Sequence, residues 1–287
     1  MINLYSPRAV AALMKRHGLR TTQALGQHFL LDRNALERMV NAAELTGEEA
    51  ILEIGPGLGA MTRILSERAA TVRAVEVDAG FIGVLKETVG DLQNVRVDHA
   101  DFLKLDLPSW VPANLNPLPA TIVANVPYNI STPILASLLA TGAYWRVIVL
   151  LVQKEVAERM RAKPNTPEYG SLSVFAQFYA AVDIAGTVAA QCFFPPPKVE
   201  SSIIRLRPLA EPPVAVNDVP LFHRIVRASF GQRRKTLLNA LSAMPEWGKD
   251  GARAALETAG IDSKRRGETL TMAEFAALAN AGEDETL

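Results

Sequence analysis

The chain is poor in the residue types that build disulfide frameworks and metal centres. Its 287 residues include a single cysteine, Cys192, and only four histidines, which are scattered without the spacing of a ligand set. One cysteine excludes an internal disulfide framework and any cysteine-rich metal site. The sequence therefore predicts a protein that binds no metal ion.

Long apolar runs and an excess of charge of one sign are also missing. No stretch approaches the roughly 18 apolar residues that cross a bilayer, and residues 1–30 lack the continuous apolar core of a signal peptide. We therefore expect a soluble cytoplasmic protein with no membrane partner. We also expect a monomer. The 30 basic and 30 acidic residues give a net charge of zero, which argues against a protein that coats nucleic acid non-specifically.

The basic residues that are present are unevenly distributed. Between Phe222 and Leu241 the chain carries basic side chains and no acid: Arg224, Arg227, Arg233, Arg234 and Lys235. Such a cluster is usually only a solvated surface, so a role in RNA binding needs separate support.

The segment 50–60 organises the rest of the chain. An apolar run at 51–54, interrupted only by Glu53, is followed by Gly55-Pro56-Gly57-Leu58-Gly59. A short apolar run bounded by glycines predicts a buried strand of a parallel sheet. The glycines would let the backbone approach a ligand where any side chain would clash. Because loops of this kind occur in unrelated proteins, the motif alone does not decide the function.

Strand and helix patterns alternate after this loop. The patterns predict further strands at 72–75, 95–97, 121–124 and 147–152, helices at 79–90, 132–139 and 171–182, and a terminal antiparallel pair formed by 181–188 and 201–206. Alternating units of this kind predict an α/β fold, a doubly wound parallel sheet with helices on both faces and ligands at the carboxyl ends of its strands.

A composition shift near residue 210 indicates a domain boundary. Four prolines stand at 208, 212, 213 and 220, and proline clusters punctuate structure. We predict one domain over 1–210 and a small all-helical domain over 211–287. The helical patterns of the second domain cover 219–230, 233–243, 250–259 and 271–281.

Acidic residues follow two of the predicted strands. Glu76 stands about 20 residues after Gly55, where a carboxylate accepts hydrogen bonds from both hydroxyls of a ribose. A nicotinamide-dependent dehydrogenase fits these residues equally well. Asp101 shifts the balance, because an acid after the third strand can accept from an adenine amino group while Phe102 packs on the ring. An ordinary helix cap is the alternative for Asp101.

The most specific motif is Asn125-Val126-Pro127-Tyr128, after the fourth strand. An exocyclic adenine amine is a poor nucleophile because its lone pair is delocalised into the ring. The Asn125 side-chain oxygen and the Val126 carbonyl, both accepting from that amine, would favour a pyramidal nitrogen in line with an electrophile. Tyr128 would stack on the base. The alternative is a proline-tightened turn with a core tyrosine.

A second aromatic side chain is supplied by the proline-rich segment 193–199. Its prolines stiffen the loop and could hold Phe193 against the opposite face of a flipped base. A polyproline corner between two strands is the alternative. If the methyl donor is a sulfonium, its leaving group is a neutral thioether, so the absence of a plausible catalytic histidine or cysteine is expected.

Taken together, these motifs resemble a known family. The chain is similar to the rRNA adenine N6,N6-dimethyltransferases that act on small-subunit rRNA. The matching segments follow the family's order over residues 20–207, and they are 26–30, 53–59, 76–78, 125–133, 153–156, 169–174 and 193–201.

The resemblance implies a Rossmann-like class I methyltransferase sheet, a helical C-terminal domain and S-adenosylmethionine as methyl donor. It places Tyr128 and Phe193 on the target base, with Asn125 as the catalytic amide. His28 departs from the asparagine of many members, a change that would make cofactor binding mildly pH-dependent. The residues implied around the cofactor are His28, Leu30, Gly55, Gly57, Glu76, Asp101 and Asn125.

The resemblance also implies a substrate and a partner. The substrate would be two adjacent adenines in the terminal hairpin of small-subunit rRNA, each methylated twice, in an immature ribosomal particle. The helices of 211–287 would then contact ribosomal RNA, which gives the basic cluster a role.

Three other functions remain open. One is a large-subunit rRNA adenine methylase of the macrolide-resistance type, which shares the fold and the logic of the 125–128 motif. Another is a non-catalytic RNA-binding assembly factor, although such a protein should have lost donor-site residues, and Glu76 and Asn125 are present. A dehydrogenase would leave the 125–128 motif and the Phe193 loop without a function.

Overall fold

The structure, a computed structural model, describes residues 2–19, 28–232 and 234–282. Gly26 and Gln27 of the first matching segment, and Arg233 of the basic cluster, lie outside the described residues. The chain forms two compact units, Met1–Ala157 with Ala181–Pro208, and Glu158–Ala180 with Leu209–Leu287. The functional domains 1–210 and 211–287 stay a prediction, and the second compact unit also takes in residues 158–180.

The strands form one large sheet and one small one. They are β1 Phe29–Leu30, β2 Ala50–Ile54, β3 Thr71–Glu76, β4 Val95–His99, β5 Ala120–Asn125, β6 Trp145–Gln153, β7 Ala180–Val188, β8 Phe193–Phe194 and β9 Ser201–Pro208. The large sheet has seven strands in the order β4-β3-β2-β5-β6-β9-β7. Neighbours from β4 to β6 pair in parallel, and β9 pairs antiparallel with β6. β1 and β8 form a separate antiparallel pair.

The helices of the first unit connect these strands. They are α1 Pro7–Arg16, α2 Arg33–Ala42, α3 Ala60–Ser66, α4 Ala79–Thr88, α5 Leu107–Asn114, α6 Ser131–Ala140 and the start of α7 Lys154–Arg161. The predicted α/β fold and the doubly wound sheet are confirmed. The core of this unit combines buried side chains of both helices and strands, such as Val10, Leu36, Ile51 and Val149.

The order of the strands reverses between β2 and β5. From β2 the chain winds outward through β3 and β4, then returns to place β5 on the other side of β2. In such sheets the ligand crevice opens at this reversal, beyond the carboxyl ends of the strands. Gly55, which follows β2, and Asn125, which ends β5, therefore flank the crevice.

The local sequence explains why β2 and α1 form. Every residue of β2 is buried, as the continuous apolar run predicts for a strand covered on both faces. α1 begins after Ser6, whose side chain accepts a hydrogen bond from the backbone N–H of Ala9 at 3.4 Å, and Pro7 suits the first helical turn. The helix ends at Arg16, ahead of Gly18, whose φ of 67° is left-handed.

Some predicted boundaries are wrong. The helix predicted over 171–182 is α8 Ser171–Tyr179, and the strand β7 begins at Ala180. Burial alternates along β7, so the two-residue period of a strand prevails there over helical spacing. The helix predicted over 233–243 is reduced to α10 Leu237–Leu241, and α7 was not predicted.

The second unit is helical, apart from the first residue of β7. Besides α8 and α10 it contains α9 Val219–Gly231, α11 Gly248–Thr258 and α12 Met272–Ala281. Its core includes aromatic side chains, and the rings of Phe178 and Phe222 stack with centroids 4.8 Å apart. Among the described residues, no helix has both the length and the apolar character needed to cross a membrane.

Candidate active site

A cavity of about 380 Å³ opens at the carboxyl ends of β2, β3 and β5. This volume is in the range of small-molecule sites, roughly 300–1,000 Å³. The cavity brings together every predicted site residue except Phe193. Those residues are His28, Leu30, Gly55, Gly57, Glu76, Asp101, Asn125 and Tyr128.

The glycine loop is joined to the tip of β3. Gly55 and Gly57 have φ values of 69° and 54°, which favour glycine. Glu76 is only 6% exposed, and its Oε2 accepts from the backbone N–H of Gly57 at 3.2 Å while its Oε1 accepts from that of Asp78 at 2.9 Å. Burial raises the pKa of Glu76, against the effect of these backbone hydrogen bonds. The loop and the carboxylate therefore form one hydrogen-bonded unit of the cavity wall.

Asp101 caps a short helix and also lines the cavity. Its Oδ1 accepts from the backbone N–H of Leu103 at 3.1 Å, as a helix cap does, and Lys104 Nζ lies 3.5 Å from its Oδ2. Asp101 nevertheless lines the cavity, next to the buried ring of Phe102. The cap is confirmed, and the contact of Asp101 with an adenine amine stays a prediction.

The Asn125 amide is oriented by His28, the residue that precedes β1. Its Nδ2 donates to the carbonyl oxygen of His28 at 3.2 Å. Because this bond uses the donor side of the amide, the oxygen is the atom that the side chain offers to an amine. Asn125 therefore has the acceptor that the sequence motif required.

Tyr128 is fixed at its hydroxyl and on one face. Its hydroxyl oxygen lies 2.6 Å from Oγ of Ser201, and its ring is stacked with that of His28, with centroids 5.8 Å apart and planes 28° apart. His28 Nδ1 lies 2.7 Å from the carbonyl oxygen of Pro195, which can only accept, so Nδ1 donates. Burial raises the pKa of Tyr128. The ring stays a neutral phenol in a defined orientation.

Phe193 is the predicted site residue that the structure does not bring into the cavity. Its side chain is 4% exposed and packs in the core of the first unit, where its backbone pairs with Leu30. Side chains alternate along a strand, and Phe194, the next residue, is the half-buried one. In this structure Phe193 is a core residue, contrary to the expectation that it faces the base.

Two residues of the site were not assigned from the sequence. Ser201 has an aliphatic strand on its C-terminal side and gave no signal beyond its place in a matching segment. Glu53 stands out in the sequence as the lone acid of an apolar strand, a pattern that by itself indicates no role. It lines the cavity, it is 1% exposed, and within the described residues its Oε2 has no hydrogen-bond partner. Burial and the neighbouring Glu76 raise the pKa of Glu53 to about 8.

Metal-ligating side chains and the Cys192 thiol give no further candidate site among the described residues. No group of three or more histidine, cysteine or acidic side chains among the described residues could hold a metal ion. Cys192 packs partly against the core, and burial raises the pKa of its thiol. A raised pKa makes a cysteine a poorer nucleophile.

Comparison with known proteins gives a consistent result. The family model described as ribosomal RNA adenine dimethylase matches residues 18–282. A protein of Geobacillus thermodenitrificans named ribosomal RNA small subunit methyltransferase A is 43% identical over 283 residues, which are 97% of each chain. One of the same name from Streptococcus pneumoniae is 43% identical over 274 residues, 94% of each chain.

Solved structures agree with the class I methyltransferase fold. A dimethyladenosine transferase from Plasmodium falciparum has a TM-score of 0.74 at 24% identity, covering 90% of this chain and 98% of its own. The 23S rRNA methyltransferase ErmE has a TM-score of 0.65 at 27% identity, covering 89% of this chain and 99% of its own. The expected fold class is thereby confirmed.

Proposed function

The chain belongs to the ribosomal RNA adenine dimethylase family, and from this premise we propose that it dimethylates two adjacent adenosines in small-subunit rRNA. The target is N6 of each adenosine, in the 3′-terminal hairpin of the RNA, and S-adenosylmethionine is the methyl donor. The observation that supports this most is the shared cavity, in which the Asn125 amide and the Tyr128 ring stand beside the glycine loop and Glu76.

The cavity suits a cationic nucleoside cofactor. A buried carboxyl oxygen without a hydrogen-bond partner is costly, and within the described residues Oε2 of Glu53 is one that a cation would stabilise. The loop passes close to the Phe29 ring at Gly57, where a Cβ would lie 3.2 Å from that ring. Glycine therefore leaves this part of the cavity free of a side chain. Glu76 would hold the ribose hydroxyls and Asp101 the adenine amine. His28 and Leu30, at β1, would form the wall on the other side of the cofactor. When bound, S-adenosylmethionine supplies an electrophilic methyl group on a sulfonium whose leaving group is a neutral thioether.

The residues after β5 prepare the target amine. The Asn125 side-chain oxygen and the Val126 carbonyl accept from the two N–H bonds of the adenine amine, which favours a pyramidal nitrogen with an available lone pair. Tyr128 stacks on the flipped base and restricts its position. Holding nitrogen and methyl carbon in line is a large part of the rate gain. The methylated nitrogen then releases its proton to water, so no side chain has to act as general base.

The biological setting follows the same proposal. We infer that the enzyme acts as a monomer in the cytoplasm on an immature ribosomal particle. The proposed RNA-contacting domain 211–287 carries an exposed basic side chain on α9, Arg227, and two more between α9 and α10, Arg234 and Lys235, which supports contact with phosphates. The proposed methyltransferase domain, 1–210, carries the chemistry.

The experiment that tests this proposal compares two substrates. The protein is incubated with isotopically labelled S-adenosylmethionine and either immature small subunits that lack the modification or large ribosomal subunits, and the methylated nucleotides are mapped by mass spectrometry. We expect dimethyladenosine at two adjacent positions of the small-subunit hairpin. Modification confined to large-subunit RNA would favour the activity named for ErmE, and the absence of transfer to either RNA would favour a non-catalytic assembly factor.

A further inference from the structure

The hydroxyl of Tyr128 is held by a residue far away in the sequence. Ser201 Oγ lies 2.6 Å from it, and Ser201 is completely buried as the first residue of β9. Because β9 runs antiparallel to β6, Ser201 pairs with Gln153, the last residue of β6. The start of β9 therefore lies at the same sheet edge as Asn125, where β5 ends.

A second contact restrains the same ring. The His28 imidazole is stacked with Tyr128, and its Nδ1–H donates to the Pro195 carbonyl at 2.7 Å. His28 is thus tied to the loop that precedes β9, and Ser201 belongs to β9 itself. Both contacts on Tyr128 depend on the 193–201 segment, which explains how that segment affects the site although Phe193 is buried in the core.

We propose that Ser201 is a positioning residue, which fixes the Tyr128 ring through its hydroxyl before the target adenine arrives. The proposal deepens the proposed function and rests on it. A tyrosine side chain loses torsional freedom when a base stacks on it, and a ring that is already fixed loses less. A fixed ring also holds the base where its amine meets the Asn125 oxygen, and small displacements of reacting atoms strongly reduce a rate.

The hydrogen bond can be deleted from either side. Ser201→Ala removes the serine hydroxyl. Tyr128→Phe removes the phenolic hydroxyl and keeps the ring, and the double variant removes both hydroxyls. Ser202→Ala is the matched control, because Ser202 is the next residue of the same strand, is 1% exposed and faces the other side of the sheet. All four variants are compared with the wild type in methyl transfer at saturating RNA and cofactor.

We expect kcat to fall roughly tenfold in either single variant, the loss typical of one hydrogen bond. The double variant should be no slower than the slower single variant, because all three changes break the same bond. RNA affinity should stay within about twofold, since phosphate contacts dominate it, and cofactor affinity should also be unchanged. Ser202→Ala should retain the wild-type kcat.

A second readout reports on the ring directly. With 2-aminopurine in place of the target adenine, stacking on Tyr128 quenches the fluorescence of the bound RNA. Ser201→Ala should give a brighter complex than Ser202→Ala, because a loosened ring stacks less. A purely structural role for Ser201 would change the melting temperature without this difference. If Ser201→Ala fails to fold, Tyr128→Phe still deletes the bond and tests the same expectation against the wild type.

A failure of the proposed function can be distinguished from a failure of the positioning role of Ser201. If the wild type itself does not methylate small-subunit RNA, the proposed function is wrong. If the wild type is active and Ser201→Ala matches its kcat and fluorescence, or if the losses of the two single variants multiply in the double variant, the positioning role alone is overturned.

Discussion

Glu76 accepts a hydrogen bond from the backbone N–H of Gly57 at 3.2 Å. This contact joins the loop after β2 to the tip of β3, so one buried carboxylate supports the glycine turn and faces the cavity. The two residues are far apart in sequence, and together they form the part of the wall that we assign to the ribose of the cofactor.

Glu76→Ala should therefore weaken cofactor binding. We expect the dissociation constant to rise about tenfold, corresponding to roughly 1–2 kcal/mol of lost charged hydrogen bonding. Isothermal titration calorimetry with S-adenosylhomocysteine measures this without turnover. Glu87→Ala serves as the control, because Glu87 pairs with Arg16 and His17 on the first unit's surface and does not line the cavity. Unchanged affinity in Glu76→Ala would remove Glu76 from the site.

Glu53 should make the stability of the cofactor-free protein depend on pH. Its pKa is raised from 4.5 to about 8 by burial and by Glu76, so the folded state favours the protonated form. Its contribution is fully present below about pH 4.5 and is lost as the pH rises through about 8. Glu53→Gln should remove that loss. Relative to the wild type, the free energy of unfolding of the variant should therefore rise between pH 6 and 9 by an amount on the order of a few kcal/mol.

Denaturant unfolding at pH 6 and at pH 9 measures the difference in unfolding free energy between the variant and the wild type. Glu67→Gln is the control, because Glu67 is exposed. A constant difference between Glu53→Gln and the wild type from pH 6 to pH 9 would contradict the burial of an uncompensated carboxyl at this position.

Cofactor binding should release a proton from Glu53. A cation in the cavity favours the carboxylate, so the affinity for S-adenosylmethionine should increase from pH 6 to about pH 8 and then level off. Calorimetry in buffers of different ionisation enthalpy measures the released proton. The release should disappear in Glu53→Gln. A wild-type binding enthalpy that is the same in every buffer would show that Glu53 does not meet the cation.

The basic cluster should contribute affinity for RNA but no chemistry. Arg224 forms an ion pair with Glu246 at 2.8 Å, and Arg234 and Lys235 are exposed. Reversing both charges in Arg234→Glu/Lys235→Glu should weaken RNA binding and lower the slope of log affinity against log salt by about two. The charge-conserving pair Arg234→Lys/Lys235→Arg is the control and should keep the wild-type slope. If charge reversal leaves affinity and slope unaltered, the cluster is only a solvated surface.

Much of the site could be predicted because its residues follow strands. The carboxyl ends of parallel strands meet at one edge, so Gly55, Glu76, Asp101 and Asn125 could be placed together from the strand pattern alone. The same pattern, with the apolar run of β2, gave the doubly wound sheet.

What could not be predicted depends on partners distant in sequence. Whether Phe193 or its neighbour faces the core is set by the pairing of β8 with β1, and a shift of one residue exchanges the two faces. Ser201 has a role only because Tyr128 is folded against it, 73 residues away. The raised pKa of Glu53 likewise depends on how completely the neighbouring elements bury it, which the strand pattern does not specify.

The central claim is that the Asn125 oxygen holds the adenine amine for methyl transfer. Single-turnover transfer by Asn125→Ala, with RNA and cofactor affinities measured separately, tests it most directly, and Asn125→Asp, which keeps an acceptor oxygen but loses the Nδ2 donor to the His28 carbonyl, is the comparison variant. We expect Asn125→Ala to lose at least about 100-fold in rate, as for other groups that stabilise charge in the transition state. RNA affinity should stay within about threefold, and Asn125→Asp should retain measurable transfer. A wild-type transfer rate in Asn125→Ala would contradict the account.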